Sequence, residues 1–201
     1  MANEAPGVAT ATTSGIFRAA HEEALKVFES LRGFEGDVQK AAALCLDSLK
    51  NGHKLVTCGN GGSAAEAQHL VGELMGRYKG NRRSWPAVAL NADSTTLTCI
   101  ANDYAYEDVF ARQVEGFCAP GDVLIVFSTS GNSPNIIRAL ESARRLPLRS
   151  IGFFGHKGGK AGALVDIPLN IAHEATARIQ EGHQFLLHAL MDAIEPELNR
   201  V

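Results

Sequence analysis

The chain has 201 residues, of which 45% are hydrophobic and 20% charged, and its net charge is −3. This is the composition of one soluble globular domain with a core of ordinary size, and its slight acidity argues against a broad nucleic-acid footprint, which needs a basic face. No run of about 18 apolar residues exists to span a membrane. The opening MANEAPGVATATTSG lacks the basic start and apolar block of a signal peptide, so residues 1–15 read as a flexible lead-in to a single domain covering 1–201.

From Ile16 to about Asn51 the rhythm is helical. Phe17, Ala20, Leu25, Phe28 and Leu31 form one apolar stripe, and Val38, Ala42, Cys45 and Leu49 a second, with Gly33 and Gly36 at the break. Short apolar runs follow: KLVTC (54–58), AVAL (87–90), DVLIVFS (122–128), RSIGFFG (149–155) and DIPLNI (166–171). The middle ones have the unbroken apolar character of parallel strands buried on both faces. Helical stretches lie between them at 63–78, in pieces over 94–117, at 134–146 and briefly near 160–165. The last helix is expected from Thr176 to Ile194, with Pro196 as its stop. Strands alternating with helices predict a doubly wound α/β fold, a parallel sheet flanked by helices, with two extra helices at the N-terminus. Cys45, Cys58, Cys99 and Cys118 are scattered without a CxxC, which suggests reduced thiols and a cytoplasmic protein.

Two predicted loops follow strands at the end where open α/β sheets bind ligands. The first is Gly59-Asn60-Gly61-Gly62-Ser63, whose glycines allow close backbone approach and whose following helix offers free N–H groups. The second, STSGNS, sets the hydroxyls of Ser128, Thr129, Ser130 and Ser133 around one glycine before a helix opened by Pro134. Serines in that position are more often simple caps. Gly59, Gly61 and Ala64 also satisfy a dinucleotide fingerprint, but the expected acidic partner is represented only by Asp93, later than it should be. A Walker A ending is absent. A terminal monophosphate suits the hydroxyl-rich loop better than a pyrophosphate.

His69 and Glu73 follow the glycine loop at i, i+4, on one helix face. Such a pair is usually a solvated surface pair; its position after a phosphate-type loop favours chemistry. Gln180 and His188 lie a little over two turns apart on the last helix, with His183 an alternative to His188.

The glycine loop followed by AQHLVGE, then NDY (102–104), STSGNS (128–133) and RIQEGHQFLLH (178–188), resembles the sugar isomerase (SIS) family over nearly the whole chain. Within it, the likeness is to the branch that interconverts sedoheptulose 7-phosphate and D-glycero-D-manno-heptose 7-phosphate. The resemblance implies a tetramer with sites at subunit contacts, serving heptose supply for lipopolysaccharide or related surface glycans. It implies that Asn60, Gly61, Gly62, Asn102 and Asp103 touch the sugar, and that Ser128, Thr129, Ser130 and Ser133 hold its phosphate. It also implies that His69, Glu73, Gln180 and His188 are zinc and active-site positions. Some members carry an acidic residue just before Arg-Ile-Gln, where this chain has Ala177.

Ketose–aldose conversion moves a proton between adjacent carbons through an enediol(ate), which needs a base, an acid for the oxygens and charge stabilisation. Glu73 suits the base and His188 its acid/base partner. Two histidines, a glutamate and a glutamine could hold zinc, although a glutamine carbonyl is a weak ligand. A competing reading is an inactive SIS relative that binds the bacterial replication initiator, but such relatives lack the Glu73 and His188 equivalents. A phosphosugar-sensing domain would ordinarily be joined to a basic DNA-binding module, which is not visible here.

Overall fold

The computed structural model describes residues 13–200. Of the expected lead-in, residues 1–12 lie outside the described residues, and 13–15 already belong to the first helix. The chain runs through α1 (Thr13–Ser30), α2 (Glu35–Lys50), β1 (Leu55–Gly59), α3 (Gly62–Met75), β2 (Ala87–Ala89), α4 (Ser94–Asp103), α5 (Ala111–Phe117), β3 (Val123–Ser128), α6 (Pro134–Arg145), β4 (Arg149–Gly155), β5 (Ile167–Ile171) and α7 (Thr176–Leu198). A single 3-10 turn, Leu31–Phe34, separates α1 from α2 at the glycine-marked break.

Local chemistry explains several boundaries. Glu35 and Asp37 open α2 and Lys50 closes it, each sign complementing the helix dipole. Asp93 caps α4 by accepting the N–H groups of Thr95 at 2.9 Å and Thr96 at 3.3 Å. Pro134 takes the first position of α6 and Arg144 and Arg145 its last turn. The expected stop at Pro196 is corrected: α7 continues through it to Leu198. Pro196 gives no N–H to the Asp192 carbonyl and crowds it, but the buried Ile194, Glu195 and Leu198 hold the last turn in place, and Asn199 N–H still reaches the Glu195 carbonyl at 2.9 Å.

The described strands form one parallel sheet in the order β2-β1-β3-β4-β5. β1 and β3 are buried throughout. Val123, Ile125 and Phe127 point to a core shared with α2, α3 and α7, while Leu124 and Val126 point to one shared with α4 and α6. Strand alternation therefore feeds two apolar layers. Successive connections leave β1 toward β2 on one side and continue from β3 to β5 on the other. The order reverses between β1 and β3, and the crevice beyond their carboxyl ends is where such sheets bind ligands.

Candidate active site

Both sequence-predicted loops emerge at this reversal. Cys58, the last residue before the glycine loop, is fully buried; burial first and then the neighbouring Cys118 raise its thiol far above the ordinary range, so it packs and does not react. Gly59 is required by close approach: a Cβ there would lie 2.3 Å from the Ser63 carbonyl oxygen. Asn60 exchanges two 2.9 Å hydrogen bonds with Asn135 of α6, and its Oδ1 also accepts from the Tyr106 hydroxyl at 3.0 Å. The two loops are thus bridged by an amide pair that the sequence did not reveal.

In the second loop, Ser128 Oγ accepts from Gly131 N–H at 3.1 Å, and Ser130 Oγ from Asn132 N–H at 3.1 Å. Gly131 has φ +61, and a Cβ there would meet the Gly158 carbonyl oxygen at 2.0 Å. Ser133 occupies the cap position of α6, yet its hydroxyl makes no capping bond. The simple-cap expectation therefore does not hold for Ser133, whose hydroxyl is available to a ligand. Beside this loop lies a cleft of about 580 Å³ lined by Ser130, Asn132, His156, Lys157 and His173. The lysine charge there was not foreseen, because 156–159 is remote in sequence.

The chemistry-bearing side chains meet between α3 and α7. Gln180 lies against Gly62, His183 against Glu66, and His188 against His69, so the contacts advance together and the helices run parallel. His69 Nε2 is 2.8 Å from Glu73 Oε1 and 3.3 Å from His188 Nε2. Atoms of His69, Glu73 and His188 all lie within 4.8 Å of one another, the one such His/Cys/Asp/Glu group among the described residues. Donor atoms of a tetrahedral zinc site stand roughly 3.3 Å apart. The two imidazoles already meet this spacing, so the donor set fits a small cation.

His183, the alternative to His188, is fully buried, its ring edge-on to Phe127 and Phe153, and its Nδ1 is 3.5 Å from Glu66 Oε2. It does not reach the cluster. The Gln180 amide rests against Gly62, while Gln184, one turn on, places its amide 3.2 Å from His69 Nδ1 and 3.1 Å from His188 Nε2. Gln180, Gln184 and His188 form an i, i+4, i+8 row, a signal present in the sequence but not used. The Tyr78 ring stacks on His188 with centroids 5.8 Å apart. Burial, followed by the charge of Asp192, raises its phenol above the ordinary value. Asn102 and Asp103 end α4 bonded to each other at 2.8 Å, and no hydrogen bond joins them to the histidine cluster. Asp93, the acid a dinucleotide site would need, is committed to capping α4.

Residues 19–155 match the SIS domain family. Phosphoheptose isomerase of Aliarcobacter butzleri is 48% identical over 181 residues, 90% of this chain and 94% of that protein. Phosphoheptose isomerase of Helicobacter pylori is 47% identical over 88% of this chain and 91% of its own. Among solved structures, phosphoheptose isomerase of Neisseria gonorrhoeae superposes with a TM-score of 0.87 at 39% identity, covering 92% of this chain and 100% of its own.

Proposed function

This chain belongs to the SIS domain family, and on that premise we propose that it is a phosphoheptose isomerase, an aldose–ketose isomerase that converts sedoheptulose 7-phosphate to D-glycero-D-manno-heptose 7-phosphate. The observation that carries this reading is the convergence of His69, Glu73 and His188 within 4.8 Å on helices that begin or pass beside the two loops of the sheet reversal. In this reading Ser128, Thr129, Ser130 and Ser133 receive the terminal phosphate, with the free hydroxyl of Ser133 directed to it and Lys157 adding positive charge nearby. Asn60, Gly61, Gly62, Asn102 and Asp103 contact the sugar chain. Glu73 takes the proton from one carbon and returns it to the next, and His188 exchanges protons with the hydroxyl oxygens.

Zinc would be held by His69, Glu73 and His188, with Gln180 as the fourth donor that the resemblance implies, although Gln184 is the amide standing beside both imidazoles, and when bound would stabilise negative charge on the substrate oxygens. The carboxylate of Glu73 has two oxygens, and so it can hold a cation and still face a carbon acid. Self-association fits the exposed apolar residues Phe17, Leu25 and Phe28 of α1 and Phe185 of α7, the last two in edge contact at 5.6 Å; a tetramer completing its sites across subunits is the expected state. No helix among the described residues is long and apolar enough to cross a membrane. The free cysteines agree with a cytoplasmic enzyme, and heptose supply for lipopolysaccharide or surface glycans is the role we assign. Incubating the purified chain with sedoheptulose 7-phosphate, with and without chelator, tests the reading. Appearance of the aldose is expected; no turnover together with tight binding to a replication initiator would reverse it.

A further inference from the structure

We infer that the buried Arg82–Glu195 pair is a positioning device that fastens the end of α3 to α7 and thereby sets the spacing of Glu73 and His188, an inference that rests on the proposed site. The segment from Gly76 to Pro86 leaves α3 and returns to β2 across the surface of α7. Arg82 donates from Nη1 to the Leu74 carbonyl at 2.8 Å and from Nη2 to the Glu73 carbonyl at 2.5 Å. It grips the open C-terminal end of α3 at the residue proposed as base. Its Nε faces Glu195 Oε1 at 3.4 Å, and the two side chains are 2% and 5% exposed. Glu195 also accepts the N–H of Lys79 at 3.0 Å and of Gly80 at 3.3 Å.

Glu195 lies seven residues after His188, two turns along the same face of α7. One carboxylate therefore ties three points of the segment to the helix that carries His188. Tyr78, immediately before the tied amides, stacks on His188, and Lys79 Nζ pairs with Asp192 one turn beyond it. An ion pair this buried is a costly way to hold a loop, because both charges must leave water. A bidentate guanidinium on two helix carbonyls does fix direction, which an apolar contact would not. Supporting groups of this kind orient the residues that bind a cation.

The test uses the full chain with Glu195→Gln, which keeps an oxygen for the Lys79 and Gly80 amides and removes the charge facing Arg82. A second variant, Arg82→Lys, keeps the charge and loses the two-pronged hold on α3. Circular dichroism identifies folded protein, zinc affinity is read by competition with a chromogenic chelator, and kcat and KM are measured with sedoheptulose 7-phosphate. Zinc Kd is expected to rise and kcat to fall, each about 10- to 100-fold, with KM unchanged within about twofold. Folded variants with wild-type zinc affinity and kcat overturn the inference, and so does a loss confined to thermal stability. Should Arg82→Lys not fold, the near-isosteric Glu195→Gln decides alone. A wild-type chain that binds zinc but converts no heptose phosphate would remove the proposed function and leave the zinc readout to judge the pair. One that turns over without zinc would leave kcat to do so.

Discussion

His69 Nε2 stands 3.3 Å from His188 Nε2, across two helices that run side by side. Two neutral imidazoles at this distance are satisfied by one shared N–H or by a cation that takes both lone pairs. Glu73 Oε1, 2.8 Å from the same His69 nitrogen, and the Gln184 amide complete a hydrogen-bonded cluster, and on the proposed reading a bound cation would take the lone pairs of both imidazoles. Chelator treatment is expected to abolish most activity, and one equivalent of zinc per chain to restore it. His69→Ala should weaken zinc binding by more than the 10- to 100-fold typical of losing an outer partner. Zinc retained at full affinity by that variant, measured by calorimetry, would show that the three groups are not a metal site.

Glu73→Gln separates chemistry from assembly. The Glu73 side chain is 20% exposed, and the amide keeps the shape of the carboxylate while losing its basicity. Turnover should fall by roughly 10²- to 10⁴-fold, the usual contribution of a positioned base, with the melting temperature within a few degrees of wild type. KM for the phosphosugar should stay close to wild type, since the proposed phosphate contacts lie on the other loop. Near-normal kcat would remove Glu73 as the base.

The hydroxyl loop makes a different demand. Ser133 caps α6 by position but not by a side-chain bond, so Ser133→Ala should leave stability within about 0.5 kcal/mol. Ser130→Ala gives up the bond from Asn132 N–H at 3.1 Å and should cost about 1 kcal/mol. Both should raise KM for sugar phosphate several-fold while leaving zinc content intact. Unchanged KM in both would reduce the loop to a turn.

Much of this was legible because periodicity is local. The run VLIVFS reads as a strand buried on both faces, and STSGNS before Pro134 as a loop opening a helix, and the structure has both. His69 and Glu73 were visible as a pair for the same reason, four residues apart on one helix. What escaped depends on contacts between distant segments. His188 was preferred to His183 only through the family resemblance; spacing alone could not show that one ring lies beside His69 while the other is enclosed by Phe127 and Phe153. Asn135 on Asn60, Tyr78 on His188 and Lys157 beside Ser130 have no signature in sequence spacing. Pro196 misled because burial of Ile194 and Leu198 in the core, which only the fold reveals, outweighs the bond it loses.

Gly62 offers a way to test Gln180 without touching it. A Cβ at Gly62 would lie 2.2 Å from Gln180 Nε2, the far end of a flexible side chain that can swing away. Alanine is a better helix residue than glycine by up to about 1 kcal/mol, so Gly62→Ala should be neutral or mildly stabilising in thermal melts. Displacing the amide should nonetheless lower kcat, and zinc affinity with it if Gln180 completes the metal set. A stabilised variant of full activity and full zinc affinity would show that the amide is not needed there.

At the opposite end of the sheet, Asp122 fastens β1 to β3. Its carboxylate accepts from Lys54 N–H at 3.0 Å, Lys54 Nζ at 2.6 Å and Ala119 N–H at 2.7 Å, with its side chain 2% exposed. Burial alone would raise this carboxyl, but the Lys54 ammonium and the two amides outweigh it and hold it below the ordinary carboxylate value. A group depressed in the folded state stabilises above its unfolded pKa, near 4, and loses that contribution as pH falls through the folded value. Asp122→Asn should therefore cost about 2 kcal/mol at pH 7 in urea denaturation, the scale of a charge-assisted bond. The difference from wild type should be flat between about pH 5 and 8 and shrink as the wild-type carboxylate becomes protonated below about pH 4. A cost that stays constant down to pH 3 would mean that Asp122 works by shape, not by charge.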